Sequence, residues 1–211
     1  MTDSPLPPRR VAAQKRSRKT VERILASAVD LVVQKGADPV TMTDIANGAG
    51  ISIGTIYQYF ADKSAIMQAL LLRHNEEVET LLRSAIADAK TLEELVERLL
   101  AAYIVYSELH RKDPFYRSIW AAVRADTELQ AADVQDSSAK GAMLFGVARP
   151  LYREVDDGLL MGTCVLIMHL SMAAARFALL LQGPIDEQIT PAFQNMIASS
   201  LLQLEMGQKD L

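Results

Sequence analysis

From about Arg18 onward, apolar side chains in this 211-residue chain recur at steps of three and four, and no alternating run of strand length interrupts them. A chain patterned this way buries its apolar residues by packing helix on helix, so the expected fold is all-α. Half of the residues are hydrophobic, enough for a core without covalent staples. The single cysteine, Cys164, excludes an intramolecular disulfide and makes a cysteine-rich zinc site implausible.

Residues 1–17 are rich in Pro, Arg and Lys without an apolar face and read as a flexible basic arm. The first unit then spans 18–78. Its first helix runs from about Arg18 along Val21, Ile24, Leu25, Ala28, Leu31 and Val32 to a stop at Gly36. A short helix over Met42–Gly48 has Thr41 as N-cap, Gly50 marks a turn, Ser52 caps a third helix through Phe60, and Asp62 caps a fourth running past Leu82. The remainder, 79–211, holds a helix from Thr91 to about Arg111 and another opened by Asp113-Pro114 and ending near Ala125. A less regular stretch leads to a helix near Lys140–Tyr152. A long apolar helix from about Val155 to Gln182 stops at Gly183-Pro184, and a last one follows Thr190-Pro191.

The net charge of −4 conceals an asymmetry: residues 1–63 hold nine Lys/Arg against six Asp/Glu, the rest thirteen against twenty. This suits a polyanion partner at the N-terminal end. Pro5, Pro7, Pro8, Arg9 and Arg10 stand where an export signal needs an apolar stretch, and His169, Ser171 and Arg176 interrupt the run Leu159–Leu181, so a cytoplasmic protein without a membrane span is expected. An enzyme is not. His74, His110 and His169 lack metal-ligand spacing, and neither a phosphate-cradling glycine loop nor a nucleophile elbow is present. No cofactor or metal is implied. Asp156-Asp157 and Glu93-Glu94 read as helix-start residues favoured by the dipole.

Residues 41–60, TMTDIANGAGISIGTIYQYF, carry the most specific signal. Two short helices meet through a turn in which Gly50 supplies the left-handed backbone, with small Ala46 at their crossing. Ile45, Ala49, Ile51, Ile56 and Phe60 lock the pair inward, leaving Ile53, Gly54, Thr55, Tyr57, Gln58 and Tyr59 outward. This is a helix-turn-helix, suited to DNA. Ser52 and Thr55 at a helix N-terminus and the tyrosine hydroxyls offer donors to phosphate, Thr55 and Gln58 can read base edges, and Ile53 can touch a thymine methyl. Lys63 adds charge just beyond. The six Lys/Arg between Arg9 and Lys19 would add phosphate or minor-groove contacts.

The segment GISIGTIYQYFADKSAIMQALL resembles the TetR/AcrR regulators, whose pattern Gly50, Ser52, Gly54, Thr55, Tyr57, Tyr59, Phe60 and Lys63 fill in register, with Thr41, Thr43, Ile45 and Ala46 matching upstream. The match covers about residues 18–78. Ile53 departs from it, because many relatives carry a polar or basic residue there. The resemblance implies a DNA-binding domain of three helices joined by a long fourth to a larger effector-binding and dimerising domain, usually with repression relieved by a small molecule. It carries Thr41, Thr43, Ser52, Thr55, Tyr57, Tyr59 and Lys63 over as phosphate or groove contacts.

In the larger domain, Tyr103, Tyr106, His110, Phe115, Trp120, Arg124, Phe145, Cys164, Met168 and Met172 are the candidates to line a pocket for a hydrophobic or aromatic effector; Tyr116, Met143 and His169 lie among them. Arg117, Arg124 or Arg176 would meet a carboxylate. The run Leu159–Leu181 is apolar on nearly all sides, and a helix-turn-helix reads two half-sites as a dimer, so a homodimer through the last two helices on a palindromic operator in double-stranded DNA is expected. An activator on the same DNA site, and a helical interaction module without a specific operator, are the alternative readings.

Overall fold

The computed structural model describes residues 8–181 and 185–204. All regular structure among them is helical, as expected: α1 (Pro8–Lys35), α2 (Met42–Gly48), α3 (Ile53–Ile56), α4 (Lys63–Ile86), α5 (Leu92–Lys112), α6 (Pro114–Ala125), α7 (Thr127–Ala148), α8 (Asp157–Leu180) and α9 (Asp186–Leu202), with a 3₁₀ turn at Arg149–Leu151. The chain divides within α4 into two compact units, one up to Leu71 and one from Leu72 onward.

Helix starts follow the side chains that satisfy their free N–H groups. Thr41 and Asp44 form a reciprocal capping box at α2, Thr91 caps α5, Asp113 with Pro114 at the first position opens α6, and Asp156 caps α8. Gly36 and Gly50 take positive φ, 79° and 62°, ending α1 and turning the chain between α2 and α3.

Four boundaries differ from expectation. α1 begins at Pro8, so residues 8–17, expected as an arm, are helical. Proline is pre-organised for a first turn, and Ala12, Ala13, Gln14, Lys15 and Arg16 favour helix without needing an apolar stripe. Residues 1–7 lie outside the described part. α3 is a single α-turn whose continuation tightens: Gln58 N–H donates to Thr55 O at 3.1 Å and Tyr59 N–H to Ile56 O at 3.0 Å, so the helix does not run to Phe60. α7 is continuous from Thr127, where irregular chain was expected up to Lys140, because Asp126 accepts from both Glu128 N–H and Leu129 N–H. Its buried positions include Ser137, Lys140 and Gly141, which blank out the apolar periodicity. α9 starts before Pro191, which forfeits one early intrahelical bond. The expected stop at Gly183-Pro184 lies outside the described residues.

In the N-terminal unit α1 lies against α2 and α2 against α3, and Ile24, Ala28, Val32, Ile45, Ala46, Ile56, Ile66 and Met67 are buried in its core. A fully buried isoleucine contributes about 1.5–3 kcal/mol, so this small core suffices to hold two short helices in one arrangement. In the C-terminal unit α7 lies against α8, and α9 against both α5 and α8. α7 and α8 approach closely at Gly141, where a Cβ would fall 2.6 Å from Val165 Cα. The Tyr152 hydroxyl donates to Leu201 O at 2.8 Å, tying the 3₁₀ region to the end of α9. α8 is long and apolar enough to cross a membrane, yet only 22% of its most apolar window is buried. Its exposed side chains include Leu166 at 58% and Leu180 at 66%, with Met196 of α9 at 57%.

Candidate DNA-reading helices and ligand pocket

The helix pair is fastened from α1. Ser27 Oγ donates to Ile45 O at 3.0 Å in a buried position, and Arg23 Nη2 donates to the carbonyls of Ala49 and Gly50, holding the free C-terminal end of α2. Sequence reasoning passed over both. Their signal was position alone: Arg23 precedes and Ser27 follows the buried Ile24–Leu25 pair on the face turned to α2.

On α3, Ser52 Oγ accepts from Thr55 N–H at 3.1 Å and lies 2.8 Å from Thr55 Oγ1. Ile53 at 44% and Tyr57 at 54% exposure stand outward with Gly54 and Gln58, whereas Thr55 and Tyr59 are less so, Thr55 being half-buried. Gly54 has no structural reason to be glycine: its φ is not positive, and a Cβ would meet nothing nearer than Ser52 Oγ at 3.9 Å. Thr43 is exposed, but Thr41 spends its hydroxyl on the capping box, donating to Asp44 Oδ2 at 2.7 Å while accepting from Asp44 N–H. The Thr41 hydroxyl and then the Thr41 N–H, both donating to Asp44 Oδ2, hold the Asp44 carboxyl below its ordinary range. Lys63, expected on phosphate, is committed to the fold: its Nζ donates to Ala37 O at 3.1 Å and Asp38 O at 2.9 Å.

The C-terminal unit holds a pocket, open on one side, with a cavity volume of about 60 Å³. Among the expected residues, Tyr103, Tyr106, Met168 and Met172 line it. His110 stands behind Tyr106, ring centroids 4.1 Å apart, and is stacked on Tyr116 at 4.3 Å. Phe115 packs on Tyr116 outside the lining, and Phe145 and the buried Cys164 are also outside it. Trp120 is buried under the Arg176 guanidinium, 5.8 Å from its ring centroid, so Arg176 has an internal partner. The side chains of Arg117 and Arg124 lie outside the described part.

The pocket's polar groups were not foreseen. His74 and Asn75 come from α4, Asp136, Ser137 and Lys140 from α7, and Ser171 from α8. Lys140, only 6% exposed, is ion-paired with Asp136 one turn earlier on the same helix. Burial raises the Asp136 carboxyl against the pull of Lys140. Burial, then the neighbouring His110 and Lys140, lowers His74 to about 3. Burial lowers His110 to about 4, opposed by its hydrogen bond to Tyr106 O and by Asp113. Both imidazoles are therefore neutral near pH 7. Burial also pushes the Cys164 thiol up to about 12, which makes it a poor nucleophile. Among the described residues no group of three or more His, Cys, Asp or Glu is placed to hold a metal.

Two family models match: residues 24–70 fit bacterial regulatory proteins of the tetR family, and 90–205 fit the tetracyclin repressor-like C-terminal domain. An uncharacterised HTH-type transcriptional regulator of Mycobacterium bovis is 37% identical over 79 residues, which are 37% of this chain and 40% of the relative. The match thus spans well under half of that relative. A putative transcriptional regulator of Streptomyces coelicolor superposes with TM-score 0.67 at 16% identity, covering 87% of this chain and 98% of that one. RolR, solved in complex with resorcinol, superposes with TM-score 0.61 at 20% identity over 90% of this chain and 94% of its own.

Proposed function

The chain belongs to the TetR family of DNA-binding regulators, and from that premise we propose that it is a repressor released from its operator by a small molecule bound in the C-terminal unit. The observation that carries the DNA-binding half is the outward set on α3. Ile53, Gly54, Tyr57 and Gln58 project beside a capped helix N-terminus whose partner helix is fixed from α1. Tyr57 and the α3 N-terminus meet phosphate, Gln58 reads a base edge, and Ile53 packs on a thymine methyl. Ser52, Thr55, Thr43 and Tyr59 complete the contact surface, with Thr41 and Lys63 positioning it through the capping box and the α1–α2 loop.

Two half-sites require two copies. The exposed apolar faces of α8 and α9, with Leu166, Leu170 and Met196 bordering one groove, suit a self-complementary helical interface. A partner subunit covers this face without a membrane, as befits a cytoplasmic regulator. The pocket supports the effector half: it is mostly apolar and carries a few convergent polar groups. RolR, solved in complex with resorcinol, is a precedent for a small-molecule ligand on this fold. An activator acting from the same DNA site would share every one of these features, since the sign of regulation depends on where the operator lies.

The test is a gel shift of the purified protein on the DNA upstream of its own gene, with excess unrelated duplex at physiological salt. A discrete complex that survives competition, and that Tyr57→Ala abolishes while the dimer persists, supports the reading. A complex that unrelated duplex displaces as readily as the upstream DNA itself points to nonspecific coating instead.

A further inference from the structure

The pocket's charges cancel internally. Lys140 and Asp136 are both in the wall, nearly withdrawn from solvent and bonded to each other, with both carboxylate oxygens accepting from Nζ. A ligand carboxylate approaching Lys140 would meet Asp136 beside it, and a ligand ammonium approaching Asp136 would meet Lys140. Either ion would give up its hydration without gaining an unopposed partner, and breaking the buried pair to make room is costly. Asp133, on the same helix, is not part of the wall and has His169 and Arg176 near it. The site therefore offers no net attraction to a charged group.

What it does offer is two side-chain polar atoms without a hydrogen-bond partner, His74 Nδ1 and the Tyr103 hydroxyl, the second of which has Thr190 beside it. His74 lines the pocket, is 4% exposed, and its Nδ1 has no hydrogen-bond partner. Lys140 stands near it, and much of the remaining wall is apolar, with Val78, Leu82, Leu99, Met168 and Ile197. A hydroxyl both donates and accepts, so it satisfies Nδ1 in either tautomer of a neutral imidazole.

We propose that this pocket selects an uncharged, largely apolar alcohol or phenol, whose hydroxyl bonds to His74 Nδ1 while the Asp136–Lys140 pair turns away ionised analogues. The proposal rests on the reading of this pocket as the effector site. His74 acts as the specificity residue, and the ion pair sets the charge filter.

The experiment uses the full chain and four probes of one shape: para-butylphenol, butylbenzene, para-butylbenzoate and para-butylbenzylammonium. Affinity is measured by calorimetry near neutral pH, and release of bound DNA is followed in parallel. The phenol should bind about tenfold tighter than butylbenzene, the yield of one buried hydrogen bond, and at least about tenfold tighter than either ion. His74→Phe should erase the advantage of the phenol over butylbenzene and leave butylbenzene's own affinity in place. Equal or tighter binding of the benzoate or the ammonium overturns the proposal, as does a phenol that binds no better than butylbenzene or not at all. The wild-type comparison stands even if His74→Phe fails to fold. Phenol binding without DNA release keeps the ligand assignment and removes the effector reading; release by the benzoate alone does the reverse.

Discussion

Gly48 closes α2 against α1, and replacing it by alanine measures how tightly the DNA-reading pair is fixed. A Cβ at this position would stand 2.3 Å from Ser27 Oγ and 3.4 Å from Ser27 Cβ. Helix propensity alone favours alanine by up to about 1 kcal/mol. The overlap works against it. Ser27 Oγ must either rotate away, giving up its buried bond to Ile45 O, or push α2 outward, at a cost of about 1–3 kcal/mol in each case. The net expectation for Gly48→Ala is a loss of about 1–2 kcal/mol. Ser27→Ala alone should cost about 1 kcal/mol, because Ile45 O still accepts from Ala49 N–H at 2.9 Å. In the double variant the offending oxygen is gone and the remaining 3.4 Å separation is ordinary contact, so the second substitution should cost almost nothing. Urea denaturation of the four proteins gives the coupling, expected at about 1–2 kcal/mol. Additivity within about 0.5 kcal/mol would refute the claim that Ser27 and Gly48 compete for one space.

Gly54→Ala should leave the fold intact or stabilise it by up to about 1 kcal/mol, since the methyl meets open space, yet weaken DNA binding severalfold by blocking close approach of the phosphate backbone; a lower melting temperature or unchanged DNA affinity contradicts this. Acid should destabilise the C-terminal unit. His74 and His110 have folded-state values below the ordinary 6.5, so their contribution is present above that value and is lost as pH falls toward about 3 and about 4 respectively. Each histidine removes about 1.4 kcal/mol per pH unit in that window, and a stability flat between about pH 7 and 5 would count against their being buried and neutral. Leu166→Glu with Met196→Glu places charge on the exposed α8–α9 groove and should yield a monomer by sedimentation with near-wild-type helicity; a dimer that persists relocates the interface.

Local chemistry made some features readable from the residues alone. The caps at Thr41, Ser52, Thr91 and Asp113 and the left-handed glycines 36 and 50 follow from side-chain and backbone rules that act within a few residues. The start of α1 was missed because helix propensity without an apolar stripe looks like a solvated tail, and α7 because its buried face carries Ser137, Lys140 and Gly141. The same disguise hid the polar half of the pocket: reading aromatic and methionine residues found Tyr103, Tyr106, Met168 and Met172, but a buried Lys–Asp pair and an unpartnered His74 Nδ1 are defined by tertiary neighbours. Lys63 had the right type for phosphate, while its Nζ bonds the carbonyls of Ala37 and Asp38, a long-range partnership that spacing does not encode.

Sequence-specific reading of DNA by α2 and α3 is tested most directly by selection from a random duplex library, without the operator having to be known. The protein should enrich a pseudo-palindrome whose half-sites lie about one helical turn or a multiple apart, bound roughly a thousandfold or more above random duplex, with Gln58→Ala relaxing one position of each half-site. A library that emerges unenriched after repeated rounds, although it binds, would show that the pair grips phosphate without reading sequence.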